Sequence, residues 1–558
     1  MQHKIEINAE RPLIGYFYHW EQATPDKTLF RQPFGDQWKL YSWKEAGRQA
    51  RSLAAWLQSL GLPPRSHIGL VSKNCAEWFI TDLAIMMSGH ISVPFYPTLT
   101  ADQLNLVLLH SDCKVLIVGK LDQWGAMKPG VPDGVMCVSF PTYNPDPEHI
   151  QWDDIMAQHA PLAGQHLPAP DDVMTVIYTS GTTGNPKGVM LTYRNFSSML
   201  NAIRPFLRTD ELPNPHFFSY LPLSHIAERA YLENGGLAVG AQFSFSESLD
   251  TFARNLEESR PTHIGSVPRI WVKFQHGILH KMPQKKLNLL LAIPVVGNLI
   301  RKKLRQKLGL NDASVILVGA APMPVVLLRW FRRLGIHIQE VYGMTENTGC
   351  ASAMPYDGIK DGTVGKVHPS TELRFEEGTG EICTRSPYNM TGYYKEPAMT
   401  AETIDSGGWL HTGDVGHLDQ NGYLTITGRV KEMYKTSKGE YVAPAQIELM
   451  FAENPYIEQV CVVGAHLPQP IALITLSEDA RHLPFAEVST TLEETLQQVN
   501  PLLKPYERVS KIVVIPTAWT VENNCMTPTL KLRRNVIEGQ YSANFEQWSE
   551  AQGKVIVA

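Results

Sequence analysis

The residues Tyr178-Thr-Ser-Gly-Thr-Thr-Gly-Asn-Pro-Lys-Gly188 gather three glycines, four Ser/Thr hydroxyls and one lysine into eleven positions. Glycine takes positive φ without steric cost, so successive backbone N–H groups in such a loop can converge on one anion. Thr179, Ser180, Thr182 and Thr183 add side-chain donors, Gly181 and Gly184 free the backbone, and Lys187 adds a positive charge. That set of groups suits phosphate, and it nominates ATP or a similar nucleotide. The competing reading is a plain surface turn rich in Gly, Ser and Thr. The ordered Pro-Lys-Gly ending, followed at once by apolar Val189-Met-Leu191, argues against it. The loop is not of the Walker type, because Lys187 follows Pro186 and no Gly-Lys-Ser/Thr occurs.

Such a loop needs a rigid element to aim it. Val173-Met-Thr-Val-Ile177 is mostly β-branched and reads as a buried strand feeding the loop. Upstream, residues 43–60 carry apolar side chains at helical spacing and stop at Gly61-Leu-Pro-Pro. His67-Ile-Gly-Leu-Val71 and Lys114-Val-Leu-Ile-Val118 read as short strands, with a helix over 78–87 between them. Further strands are predicted at 314–318 and 336–341, each running into a Gly-containing loop. This alternation predicts an α/β fold with a mostly parallel sheet. Ligands in such sheets bind at the carboxyl ends of the strands, where these loops fall.

The 558 residues exceed what one hydrophobic core normally serves, so two or more domains are expected. From about 360, glycines at 362, 365, 378, 380, 407 and 408 punctuate short strands and suggest a smaller β-rich subdomain. A second change follows Gly428-Arg-Val-Lys431, and a boundary is placed near 430. The net charge of −5 supplies no basic field for nucleic acid. Seven scattered cysteines without a CxxC pair suit a reducing compartment and provide no zinc site. With no signal-peptide core and no run of about 18 apolar residues, a cytoplasmic location is expected. Residues 281–310 are unusual in holding eight Lys/Arg and no Asp/Glu. Ile300, Leu304 and Leu308 repeat every four, so 299–308 reads as a basic amphipathic helix. It either packs on the domain or touches a membrane surface.

The loop is the first of nine motifs in fixed order. It is followed by Leu221-Pro-Leu-Ser-His225, Ser266-Val-Pro-Arg-Ile-Trp271, Val318-Gly-Ala-Ala-Pro322 and Val341-Tyr-Gly-Met-Thr-Glu346. Gly408-Trp-Leu-His-Thr-Gly-Asp414, Gly428-Arg-Val-Lys-Glu432, Ser437-Lys-Gly-Glu-Tyr-Val-Ala-Pro444 and Thr527-Pro-Thr-Leu-Lys531 complete the series. This succession, over about residues 20–540, resembles the adenylate-forming superfamily of acyl-CoA synthetases, luciferases and peptide-synthetase adenylation domains. Ser-His-Ile-Ala-Glu-Arg at 224–229, Val-Pro-Arg-Ile-Trp at 267–271 and Val521-Glu-Asn with Thr-Pro-Thr-Leu-Lys531 look most like long-chain fatty acyl-CoA synthetases.

The resemblance implies a large N-terminal domain of stacked α/β sheets with a β-barrel-like subdomain (1–429, with 281–310 as a basic insertion). It further implies a hinge at 430–431 and a small mobile α+β domain (432–558). It implies the substrates ATP, a fatty acid and coenzyme A, with Mg²⁺ as cofactor: the carboxylate attacks the α-phosphorus, pyrophosphate leaves, and the CoA thiol then takes the acyl group. By the same resemblance, Thr179–Gly184 and Lys187 hold the leaving phosphates, Glu346 holds Mg²⁺ and Thr345 the α-phosphate. Gly319, Ala320, Ala321 and Tyr342 line the adenine pocket, and Asp414 and Arg429 hold the ribose. Lys531 would bridge the carboxylate and the α-phosphate once the C-terminal domain closes. Lys431 would be the hinge, Gly439 would line the CoA path, and His225 would gate the acyl site.

Three positions depart from the pattern. Asn524 stands where Gly is usual, Val318 replaces the first glycine of the adenine-side motif, and Arg229 occupies a position where some bacterial long-chain enzymes place an aromatic gate. Asn tolerates the left-handed conformation, so the turn at 524 should survive. Other acceptors for the adenylate, a phosphotransferase, and an idle membrane scaffold are the rival readings; monomer and homodimer stay open.

Overall fold

The computed structural model describes residues 7–8, 10–143, 145–180, 186–208, 212, 214–437, 439–521, 523–527 and 531–558, with Ser180 by its backbone alone. Two large sheets carry the N-terminal part. One runs edge to edge through Gly392–Tyr393, Pro186–Thr192, Val173–Ser180, Ile91–Phe95, His67–Val71, Val115–Val118, Met136–Ser139 and Ile150–Gln151. Its strands from Ile91–Phe95 to Ile150–Gln151 pair in parallel, and Val173–Ser180 joins Ile91–Phe95 in the same sense. His67–Val71 is buried at every residue, as a strand covered on both faces must be.

The second sheet runs through Lys366–Val367, Ser352–Ala353, Gln339–Tyr342, Val315–Val318, His263–Ser266, His216–Ser219, Gln242–Phe245, Thr28–Phe34 and Gln37–Ser42. Helix Ala76–Met87, apolar nearly all round and buried along its whole length, shares a core with residues of both sheets. Helix Trp43–Ser59 begins where Ser42 accepts from the Glu45 N–H and ends before Gly61, whose φ is +63°.

Two sequence expectations shift in detail. The strand expected over 336–341 is Gln339–Tyr342; Ile336 and Ile338 are buried in the core, but their partner strand Val315–Val318 first meets this segment at Gln339. The helix expected over 299–308 begins earlier, as Pro294–Lys307, and a second helix, Gln284–Ala292, precedes it. The repeat Ile300, Leu304 and Leu308 turns inward onto a core containing Trp330 and Phe331.

After residue 360 comes an antiparallel sheet of Glu372–Phe375, Glu381–Arg385, Leu410–Leu418 and Leu424–Arg429. Beyond the single turn Val430–Glu432 lies a smaller domain around strands Ile457–Val463, Ile471–Leu476, Lys511–Val514 and Val555–Val557. Alternate side chains divide its two cores, as strand geometry requires. Val460 and Val462 meet helices Pro444–Phe451 and Phe485–Val499, while Cys461 and Val463 share a core with Ile537, Phe545 and Trp548. All seven cysteines are free thiols. Among the described residues no helix is long and apolar enough to cross a membrane.

Candidate functional site

Strands Val173–Ser180 and Pro186–Thr192 pair antiparallel, with Thr179 opposite Lys187. The pair packs tightly: a Cβ on Gly188 would lie 2.8 Å from Val176 Cγ1. Gly181, Thr182, Thr183 and Gly184, and the Ser180 side chain, lie outside the described residues. Lys187 Nζ sits over the Tyr393 ring at 5.2 Å. The Tyr393 hydroxyl donates to Glu346 Oε1 at 2.8 Å. One tyrosine therefore connects the loop lysine to the carboxylate 159 positions beyond it in the chain.

Glu346 and Thr345 are both buried in a single 3₁₀ turn after strand Gln339–Tyr342. The turn is locked from inside. Met344 N–H donates to Asn347 Oδ1 at 2.8 Å, and Met390 N–H donates to the Glu346 carbonyl at 2.7 Å. Gly343 must be glycine, since a Cβ there would stand 2.2 Å from the Gly349 carbonyl carbon.

Tyr342, Asp414 and Arg429 form one group. The Tyr342 hydroxyl donates to Asp414 Oδ2 at 2.8 Å and Arg429 Nε donates to Asp414 Oδ1 at 2.9 Å. Asp414 and Arg429 are direct cross-strand partners in the β-rich sheet, which explains their fifteen-residue spacing. Burial, and then the Asp414 charge, hold the Tyr342 phenol well above its usual pKa, so it remains a donor. Gly319 lies beside strand Gln339–Tyr342, where a Cβ would meet Val341 Cγ2 at 2.9 Å, and Ala320 has φ +66°. A left-handed alanine costs about 1–2 kcal/mol. Strain of this kind collects at sites where the backbone is shaped for a ligand.

Lys531 arrives from the C-terminal domain. It keeps contact with solvent, yet protein crowds it. That crowding and the Arg429 guanidinium lower its pKa, against the pull of Asp414, Glu432 and Glu346. The lysine thus stands within electrostatic reach of three acidic groups and of Arg429. Burial, then the Lys531 charge, push the His225 imidazole down to about 4. Its Nδ1 accepts from Ala227 N–H at 3.2 Å, which leaves Nε2 as the protonated nitrogen of the neutral ring.

Lys431 lies in the turn Val430–Glu432. Gly439 has φ +82°, and a Cβ there would meet nothing within 4 Å. Its left-handed φ is a conformation that favours glycine. Asn524 adopts φ +62°, the left-handed geometry expected of it, with Arg533 donating to its side-chain oxygen. Arg229 is no gate. It is wholly buried, donates two bonds from Nη2 to Asp82 at 2.8 and 2.9 Å, and lies 5.3 Å from the Trp78 ring. The neighbouring Glu228 accepts from Ser219 and Tyr220, and burial raises its pKa to about 8. Another candidate cation group, Glu376, Cys383 and His411, is already compensated by Arg374, which donates to Glu376 at 2.5 Å.

Sequence reasoning missed Tyr393 and the Arg269–Glu458 ion pair, which ties the helix after Ser266 to the C-terminal domain. Arg269 lay within a motif already singled out; neither Tyr393 nor Glu458 carried a local signal.

The model of the AMP-binding enzyme family matches residues 17–394, and that of the AMP-binding enzyme C-terminal domain matches residues 432–552. The chain is a member of the AMP-binding enzyme family. A putative fatty-acid–CoA ligase of Mycobacterium tuberculosis is 34% identical over 68% of this chain and 74% of its own. Long-chain-fatty-acid–CoA ligase 5 of Rattus norvegicus is 30% identical over 96% of this chain and 85% of its own. The fold also matches the adenylation domain of a carboxylate reductase from Mycobacterium chelonae, with a TM-score of 0.80 and 21% identity over 97% of this chain and 91% of that one. An anthranilate CoA ligase in complex with anthranoyl-AMP gives 0.79 and 18% identity over 97% and 99%.

Proposed function

We propose that this chain activates a long-chain fatty acid with ATP, releasing pyrophosphate, and passes the acyl group from the adenylate to coenzyme A. The observation that supports the proposal is the bonded group of Tyr342, Asp414 and Arg429 near the buried Glu346 that Tyr393 holds, with Lys531 of the C-terminal domain within electrostatic reach of Asp414, Arg429 and Glu346.

Joining a carboxylate to a phosphate brings two anions together, and the barrier falls where fixed positive charge and donors already wait. Lys531 places its ammonium between the two anions. Thr179, Ser180, Gly181, Thr182, Thr183, Gly184 and Lys187 receive the departing pyrophosphate, and Thr345 donates to the α-phosphate. Tyr342 and the wall of Gly319, Ala320 and Ala321 hold adenine; Asp414, steadied by Arg429, accepts from the ribose hydroxyls. Nucleotide-bound Mg²⁺ takes one or two protein carboxylates plus phosphate oxygens. The buried Glu346, oriented by Tyr393, suits that need, and an ion held there would neutralise charge on the pyrophosphate.

For the second step Lys531 must leave. The proposal divides the chain into residues 1–429 and 432–558, turning about 430–431 at Lys431, so that the Gly439 loop comes to line the thiol path. Neutral His225 then stands beside the acyl carbon without adding charge. The enzyme is placed in the cytoplasm, touching a membrane surface through residues 281–310.

The test identifies the nucleotide product with a panel of fatty acids. AMP with pyrophosphate, and a thioester on adding CoA, is the expected result. ADP would sink the adenylate, and hydrolysis or lactone formation without thioester would sink the acceptor.

A further inference from the structure

We propose that the helical hairpin of residues 284–307 is a wedge that docks on an anionic lipid bilayer, its turn entering the headgroup boundary and its lysines meeting lipid phosphates. Helices Gln284–Ala292 and Pro294–Lys307 meet at Ile293. They approach closely because Gly297 lacks a side chain: a Cβ there would lie 2.7 Å from the Leu291 carbonyl oxygen. The inner face is committed to the domain. Leu287 and Leu291 are buried, and Ile300, Leu304 and Leu308 pack beside them. Trp330 Nε1 donates to Gln284 at 2.8 Å, and Arg301 Nε donates to the Arg333 carbonyl at 2.9 Å. The hairpin is thus a fixed attachment.

Its outer face has two zones. Leu289, Ile293, Val295 and Leu299 are 67, 46, 82 and 65% exposed, and all flank the turn. Farther from the turn stand Lys285, Lys286, Lys302 and Lys303, exposed and without a carboxylate partner among the described residues. At about 1.5 Å per helical residue, Ile293 lies roughly 10 Å beyond Lys286. Interfacial helices bury their apolar faces to a depth of about 5–10 Å. The turn therefore reaches the acyl boundary when the lysines sit at phosphate level. A leaflet with negative surface potential supplies both halves, an apolar layer beneath anionic groups. A second copy of this chain supplies the opposite, since it would set these four unpaired lysines against four more.

The full chain is co-sedimented with phosphatidylcholine vesicles, with and without phosphatidylserine, beside two variants: Val295→Asp/Leu299→Asp at the turn, and Lys285→Glu/Lys286→Glu/Lys302→Glu/Lys303→Glu. All substitutions are at exposed positions, and the thermal unfolding midpoint verifies folding. The expected result is binding to phosphatidylserine vesicles that weakens with salt, and partitioning lower by about tenfold or more in each variant. Failure of the unaltered chain to bind, or binding by either folded variant equal to that of the unaltered chain, overturns the proposal. So does a concentration-dependent dimer that Val295→Asp/Leu299→Asp dissolves, because a second copy would then cover the turn. Should the turn variant unfold, Leu289→Asp replaces it, and should the lysine variant unfold, Lys302→Glu/Lys303→Glu replaces it, with the same two outcomes.

Discussion

Arg269, in the first turn of helix Pro268–Lys281, forms an ion pair with Glu458 of strand Ile457–Val463, joining the two domains. The pair exists only while the C-terminal domain is docked in this arrangement. It is partly exposed, so its worth is about 0–1 kcal/mol, or up to roughly fivefold in the docked population. Arg269→Glu should slow ATP–pyrophosphate exchange by about that factor and leave thioester formation from supplied acyl-adenylate unslowed. Arg269→Glu/Glu458→Arg should restore exchange. Equal slowing of both half-reactions would show that the pair does something other than favour this arrangement.

Tyr393 holds Glu346 through its hydroxyl and carries Lys187 over its ring. A hydrogen bond to a charged group is worth about 1.5–3 kcal/mol. Tyr393→Phe keeps the ring and loses the bond. We expect the Mg²⁺ concentration needed for half-maximal exchange to rise about tenfold, with a smaller change in the KM for fatty acid. A Mg²⁺ titration that superimposes on that of the unaltered enzyme would exclude this role.

The bridging lysine must be protonated, and its surroundings lower its pKa from 10.5. Exchange should therefore decline on the alkaline side at lower pH than an ordinary lysine titrates. Lys531→Arg, charged at every accessible pH, should lose rate but shift that decline upward. A pH–rate profile with the same alkaline limb in both enzymes would assign it to another group.

Acid stability follows from histidines that fold neutral. Burial pushes His263 and His368 down to about 4, and His216 to about 3. In the unfolded chain each binds a proton below about 6.5, whereas the folded chain resists until about 4. Their stabilising contribution is thus complete above pH 6.5 and is lost as pH falls toward 4. His368 packs edge-on against Phe206 at 5.1 Å, with no hydrogen-bond partner for either ring nitrogen among the described residues. His368→Phe should flatten the fall in unfolding temperature between pH 6.5 and 4. An unchanged slope would place the acid sensitivity elsewhere.

Much of this architecture is legible in the chain because its signals are local. The β-branched strand before residue 178, the glycine punctuation after 360 and the helix stop at Gly61 are each contained within a few residues. The spacing of Asp414 and Arg429 is local too, once the hairpin that pairs them is seen. Tyr393 is different: it reaches Glu346 and Lys187 through a two-residue edge strand laid on Pro186–Thr192, and nothing near it in sequence marks it. Asp82 and Arg229 are 147 positions apart and meet only because a buried helix lies against the segment after His225. The basic hairpin shows a subtler limit. A repeat of four identifies an amphipathic helix, but not which neighbour claims its apolar face; here the domain claims Ile300, Leu304 and Leu308 and leaves Leu289, Val295 and Leu299 outside.

The central claim is that one lysine, delivered by the C-terminal domain, serves the first half-reaction and must withdraw for the second. Lys531→Ala, assayed in parallel for ATP–pyrophosphate exchange and for thioester formation from supplied acyl-adenylate and CoA, tests it most directly. The account predicts loss of exchange by about two orders of magnitude or more, with thioester formation close to that of the unaltered enzyme. Normal exchange in Lys531→Ala, or equal loss of both half-reactions, would contradict it.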